Sequence, residues 1–263
     1  MLGKLLKHNL KDLFKNLIVF YTISIFFALL TRLFFMVENS IIMDVIAKIC
    51  SGVTISMIFN ILVNNTIRVW VRFKQNLYGD ESYLTHTLPV KKHTLYLSKM
   101  LGMVVTLLVS TVVITLTLFI AYYSKENIQM LKQILLPVAD VYGTTIVGIL
   151  LAFLFIVFLE ISNAVVSGFI GIILGHRMNS AKTGFSILFG FISYMVTQWA
   201  IIAMMFVVAL FNKDIMNLFV TTEMMSVDLV KNIIYMAITL YSITLTVGYF
   251  VGYKLFKKGV NID

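Results

Sequence analysis

Six stretches of some twenty or more mostly apolar residues constrain this chain more than anything else in it. They run from Leu17 to Val37, Val45 to Val71, Leu95 to Tyr123, Val141 to Gly175, Gly184 to Phe211 and Ile233 to Tyr253. Each is long enough to cross a bilayer as a helix, since about 20 residues span the hydrocarbon core. With 60% hydrophobic and 13% charged residues among 263, a water-soluble interior cannot hold so many apolar side chains, and the excess must face lipid. Two prolines and fourteen glycines leave few breakers, which favours long helices over a barrel of short strands. The fold class expected is therefore all-α integral membrane, with six transmembrane helices in one domain over residues 1–263. The fourth window would reach roughly 50 Å as one helix against a core of about 30 Å, so it must tilt, bend or project.

The formal charge of +9 does not point to nucleic acid, because the basic residues flank the apolar windows instead of forming one basic face. Threading the chain with its N-terminus inside puts fifteen Lys and Arg on the cytoplasmic side and six outside. The positive-inside rule then predicts both termini in the cytoplasm. The first sixteen residues read as an amphipathic helix, with Leu2, Leu5, Leu6, Leu10, Leu13 and Phe14 on one stripe and lysines on the remaining surface. Such a helix is expected to lie in the cytoplasmic interface, its lysines near anionic headgroups. The first apolar window is too long for the core of a cleavable signal and lacks a small-residue cleavage site, so it is expected to remain as a span. Cys50, the single cysteine, reads as a small apolar residue within a span.

Catalytic signatures are absent from the sequence. No G-x-x-x-x-G-K-[ST], G-x-S-x-G or H-E-x-x-H occurs, and His8, His86, His93 and His176 all fall in segments threaded to the cytoplasmic side. Asp80, Glu81 and His86 lie outside the apolar windows and lack a second ligand set, which argues against a metal site. No catalytic, cofactor-binding or metal-ligating residue is assigned, and an enzyme is not expected.

Most informative is the polar segment Arg72 to Thr94. Phe73, Leu77, Leu84 and Leu88 form one helical stripe, Gly79 interrupts it, Asp80 can cap a new turn, and Pro89 marks a stop. Thr94 can cap the following span. A short amphipathic helix of this kind suits docking into a partner's groove. The run Leu77-Tyr78-Gly79-Asp80-Glu81-Ser82-Tyr83-Leu84-Thr85-His86-Thr87-Leu88-Pro89-Val90 resembles the first cytoplasmic loop of permease subunits in the type-2, export-type ABC transporters, small bacterial members in particular. Gly171-Ile172-Ile173-Leu174-Gly175-His176-Arg177 is similar to the end of the fourth span in the same family.

The resemblance implies a type-2 exporter permease architecture in the bacterial plasma membrane. It implies a separate ABC ATPase subunit, in two copies, carrying the ATP and Mg. It implies a second permease subunit, of the same or a different chain. A coupling helix from Tyr78 to Thr87 would dock the ATPase, with Leu77, Tyr78, Gly79, Asp80, Glu81, Tyr83 and Leu84 as its contact residues. His176 to Thr183 would be an accessory contact, and 212–230 would dip back toward the membrane as an outer gate. The expected cargo is amphipathic or hydrophobic, an antimicrobial-type peptide as first guess. An ion-coupled secondary transporter and a non-transporting scaffold or sensor are the rival classes.

Within the spans Glu160 stands out, because a carboxylate at a helix centre costs about 2.5–3.5 kcal/mol on insertion scales and should face protein or a water-filled cavity. Glu160, Asn163, Gln198 and Trp199 are candidates for a translocation path, with bonding inside the bundle or across a dimer as the alternative for Glu160, Gln198 and Trp199. Asn60, Asn64 and Asn65 are expected to bond between helices, and Arg32 to snorkel or meet Glu38. Ser167, Gly171 and Gly175 form a small-xxx-small face suited to close helix packing.

Overall fold

The computed structural model describes residues 1–37, 40–212, 215–216 and 227–258, and these are almost wholly helical. In chain order the helices are α1 (Leu2–Phe35), α2 (Ile41–Tyr78), α3 (Ser82–Thr87), α4 (Lys92–Tyr122), α5 (Lys125–Val141), α6 (Ile146–Gly175), α7 (Lys182–Phe211) and α8 (Val227–Lys257). Six of them (all but α3 and α5) are long and apolar enough to cross a membrane. Their surface is inverted relative to a soluble protein. Phe26, Phe59, Phe153, Phe191 and Phe250 are all more than half exposed, whereas Ser24, Thr31, Thr54, Asn65, Thr106 and Asn163 are buried. Lipid tolerates the first group, and the second finds its hydrogen bonds inside.

The chain divides into two compact units. The first comprises Met1–Phe73 and Pro89–Leu131, and α1 packs along α4 within it. Asn9, Leu13, Leu17, Tyr21, Ser24, Ala28 and Thr31 form one buried stripe along α1, stepping by three or four residues. This stripe departs from the expectation of a separate interfacial helix over residues 1–16. Nothing between Lys15 and Leu17 breaks the helix, and the seam that buries Leu17 continues unbroken to Asn9. There Asn9 Oδ1 accepts from Lys99 Nζ at 3.2 Å, Asp12 pairs with Arg72, and the Asn16 carboxamide lies against the Arg68 guanidinium. Polar groups of this segment, none of them among the predicted stripe residues, thus meet neighbouring helices. Over 34 residues α1 is about 51 Å long.

Hydroxyl pairs close the rest of this unit. Tyr21 meets Ser110 at 2.7 Å, Ser24 donates to Thr117 at 3.3 Å, Thr31 meets Thr54 at 3.2 Å and Ser51 meets Tyr122 at 2.6 Å. Of Asn60, Asn64 and Asn65 on α2, it is Asn65 that bonds between helices, to Ser110 Oγ at 2.8 Å. Asn60 and Asn64 donate instead to carbonyls one turn back on their own helix. Arg32 lies over the Tyr123 ring, 5.2 Å from its centroid.

The second unit comprises Lys74–Leu88 and Lys132–Asp263, with α6 packed between α7 and α8. The overlong fourth window resolves into two elements. Its first residues end α5 and form a turn in which Gly143 takes φ +58°, and Thr145 then caps α6 by accepting from the Gly148 amide at 3.2 Å. α4 begins at Lys92, so Thr94 is inside the helix and not its cap. Most of the expected outer gate, 213–214 and 217–226, lies outside the described residues, as does Glu38.

Candidate functional site

Two polar clusters stand out, both within the second unit. The first surrounds the segment singled out by its motif. α2 continues to Tyr78 and stops at Gly79, where a Cβ would lie 3.1 Å from the Gln75 backbone. α3 then starts after Glu81 and ends at Thr87, with Leu88 extended ahead of Pro89. The helix is pinned from beneath. His86 Nε2 donates to the Leu77 carbonyl at 3.1 Å, Asn76 donates to the Glu81 carboxylate, and Ser82 is fully buried. The His86 ring also lies 6.4 Å from Phe256 of α8.

The break at Gly79 sorts the predicted contact residues into two sets. Leu77 and Tyr78 are buried, whereas Tyr83 and Leu84 are 62% and 75% exposed. Asp80 and Glu81 are exposed at the turn. Tyr78 stacks on His176 with centroids 4.5 Å apart, immediately beyond the end of α6. His176 Nδ1 donates to the Ile172 carbonyl at 2.8 Å, Lys74 Nζ donates to Thr183 Oγ1 at 2.7 Å, and Arg177 donates to the Leu255 carbonyl at 2.5 Å. The Lys74–Leu88 segment is thereby joined to the α6–α7 turn and to the end of α8. Sequence reasoning placed His176 in the motif ending the fourth span and at the start of an accessory contact, but not against Tyr78. Stacking partners from distant segments leave no local spacing by which to find them.

Burial holds the His176 imidazole below the ordinary histidine range. The Ile172 carbonyl opposes that shift, and the Lys74 and Lys182 charges add to it. A histidine kept neutral in the fold makes the folded state bind fewer protons than the unfolded chain once pH drops below about 6.5. Stability contributed here is present above that value and declines as pH falls toward the lowered folded value. Thermal unfolding in detergent is expected to show a lower Tm at pH 5.5 than at pH 7.5. In His176→Gln that pH difference should shrink, and an unaltered difference would assign it to other groups.

The second cluster lies among apolar side chains of α6, α7 and α8. Glu160 Oε1 accepts from the Tyr194 hydroxyl at 2.5 Å and from Gln198 Nε2 at 2.8 Å. Tyr241 of α8 stands beside the same carboxylate. Oε2 is buried. Asn163, one turn along α6, donates to the Tyr241 carbonyl at 3.0 Å and to the Leu159 carbonyl at 3.0 Å. Glu160, Asn163 and Gln198 are therefore brought together. Trp199 is 68% exposed on the outer surface of α7. Tyr194 and Tyr241 were missed, although Tyr194 stands four residues before Gln198 and so shares its helix face.

Ser167, Gly171 and Gly175 lie where α6 meets α7. A Cβ on Gly171 would fall on the Gly190 backbone and 2.6 Å from the Ser186 carbonyl oxygen, and one on Gly175 would fall on Ser186 itself. No protein-family model, curated protein or solved structure matches the chain. Helix length and hydropathy nonetheless define a multi-pass helical membrane protein.

Proposed function

We propose that this chain is the membrane-spanning subunit of an ATP-driven exporter of the type-2 ABC class, with α3 as the docking element for a separate ATPase. The pose of α3 is the observation that supports this reading most. Tyr83 and Leu84 point outward from a helix whose underside is anchored through Ser82 and His86. An exposed aromatic–aliphatic pair on an anchored six-residue helix suits insertion into a partner's groove. Leu77 and Tyr78 then serve as its footing. Closure of an ATPase pair would pull on α3, and the pull would enter α6 through the Tyr78–His176 stack and α8 through His86 and Phe256. That is a two-state switch biased by nucleotide on the partner.

In this reading a second permease subunit completes the transporter, both termini face the cytoplasm, and the membrane is the bacterial plasma membrane. Extensive apolar surface and few ionisable groups favour an amphipathic or hydrophobic cargo, a peptide first. Glu160 would meet its cationic or polar part.

The test is recovery of the ATPase. Tyr83→Ala with Leu84→Ala should reduce co-purification of a nucleotide-hydrolysing subunit at least about tenfold, the scale of truncating an interface hot spot. The Tm should stay unchanged, because both side chains are exposed. Full recovery of the ATPase would reject the docking role. A second reading, an ion-coupled transporter, is favoured by the burial of the Glu160 Oε2 atom within the spans. Transport that survives ATP depletion but stops when ion gradients collapse would select it.

A further inference from the structure

The α5 helix, which the apolar windows left as an external loop, carries a different kind of surface. We infer that α5 lies flat on the membrane, with Met130, Leu131 and Ile134 sunk into the acyl-chain boundary of the bilayer. The inference rests on the multi-pass membrane reading and is independent of the exporter proposal.

At 100° per residue, the helix divides into two halves. One half carries Ile128, Met130, Leu131, Ile134, Leu135 and Val138, interrupted by Asn127; the other carries Lys125, Glu126, Gln129, Lys132, Gln133 and Asp140, with Leu136 among them. Protein covers the first half only in part, with Ile128, Leu135 and Val138 partly buried. Met130, Leu131 and Ile134 are 61%, 43% and 63% exposed, and Ala139 is the buried residue of this helix.

Connectivity decides what covers that face. Only Tyr123 and Ser124 separate α5 from α4, and Ser124 Oγ caps α5 by accepting from the Asn127 amide at 3.0 Å. At the other end, Tyr142 to Thr145 lead directly into α6, which has no polar side chain from Ile146 to Leu159. The start of α6 therefore sits at the edge of the hydrocarbon. Seventeen helical residues extend about 25 Å, whereas the link from Val141 to Ile146 reaches at most about 18 Å. An upright α5 could not return the chain to the membrane surface, so both its ends are held at interface depth. Lys125 and Lys132 are offset by Glu126 and Asp140, so the attraction is apolar and not electrostatic.

The full chain, with Cys50→Ala, reconstituted in phosphatidylcholine vesicles provides the test. Bimane would be attached to single cysteines introduced as Met130→Cys, Ile134→Cys, Gln129→Cys and Gln133→Cys, with Phe153→Cys as the span control. Lipid brominated on its acyl chains should quench positions 130 and 134 at least about threefold more than 129 and 133, and aqueous iodide should show the reverse order. Adding anionic lipid should leave both patterns unchanged. Equal access of iodide to all four positions would place α5 in water and overturn the inference. So would shielding of 130 and 134 from both quenchers, which would mean that protein covers the face. A control at 153 that brominated lipid fails to quench would overturn the membrane reading itself, and α5 with it.

Discussion

Gly171→Ala is expected to open the α6–α7 seam. The new Cβ would meet the Gly190 backbone and the Ser186 carbonyl, and backbone cannot swing aside as a side-chain end can. Overpacking typically costs about 1–3 kcal/mol, and rigid obstruction puts this site at about 3 kcal/mol or beyond. The contact is not reciprocal, which sharpens the test. A Cβ on Gly190 has the Gly168 Cα as its nearest neighbour at 3.5 Å, an ordinary contact, so Gly190→Ala should melt near the wild type. Gly52→Ala meets nothing within 4 Å inside α2 and should gain about 0.5–1 kcal/mol from helix propensity. Fluorescence-detected size exclusion after heating ranks the three variants. Equal Tm values for Gly171→Ala and Gly190→Ala would refute the close approach.

Glu160→Leu is expected to weaken the packing of α6 against α7 by about 1–3 kcal/mol, for the two donors it strands. The insertion penalty of a carboxylate does not enter the comparison, because separated and packed helices both carry it in the membrane. What differs is the pair of bonds from Tyr194 and Gln198, and interhelical bonds in membranes average about 0.6 and reach about 1.7 kcal/mol. The triple variant Glu160→Leu, Tyr194→Phe, Gln198→Leu should recover much of the loss, since it removes both donors that Oε1 held. A triple variant as unstable as the sum of its singles would show that the three residues act separately.

The spans were legible because apolar length alone selects them, and Pro89 and Gly79 marked the ends of α3 and α2 correctly. Other readings failed for identifiable reasons. A leucine stripe over residues 2–14 suits a headgroup layer and a neighbouring helix equally well, and Asn9, sitting on the buried stripe, was the sign that a helix would be there. Phe73, Leu77, Leu84 and Leu88 look like one stripe only if the helix is continuous. The break at Gly79 resets the frame, so Leu77 turns inward and Leu84 outward. Val141 to Gly175 read as one window because Gly143, Thr144 and Thr145 are too few to lower an apolar average, although a left-handed glycine and a capping threonine suffice to start a new helix. Glu160 announced itself by its charge. Its tyrosine partners did not, because a tyrosine in a membrane sequence reads as an interfacial residue as readily as a buried donor.

The hydroxyl seam of the first unit has a mechanical consequence. Thr31, Thr54 and Thr117 each also have a carbonyl acceptor one turn back on their own helices, at 2.8, 2.9 and 2.8 Å. The Thr31–Thr54 contact is thus optional: a small slip there strands neither hydroxyl in hydrocarbon, whereas Tyr21, Ser24 and Asn65 bond across to neighbouring helices. The glycine contact between α6 and α7 has no such reserve, since backbone touches backbone there. One molecule therefore carries a sliding joint and a fixed weld.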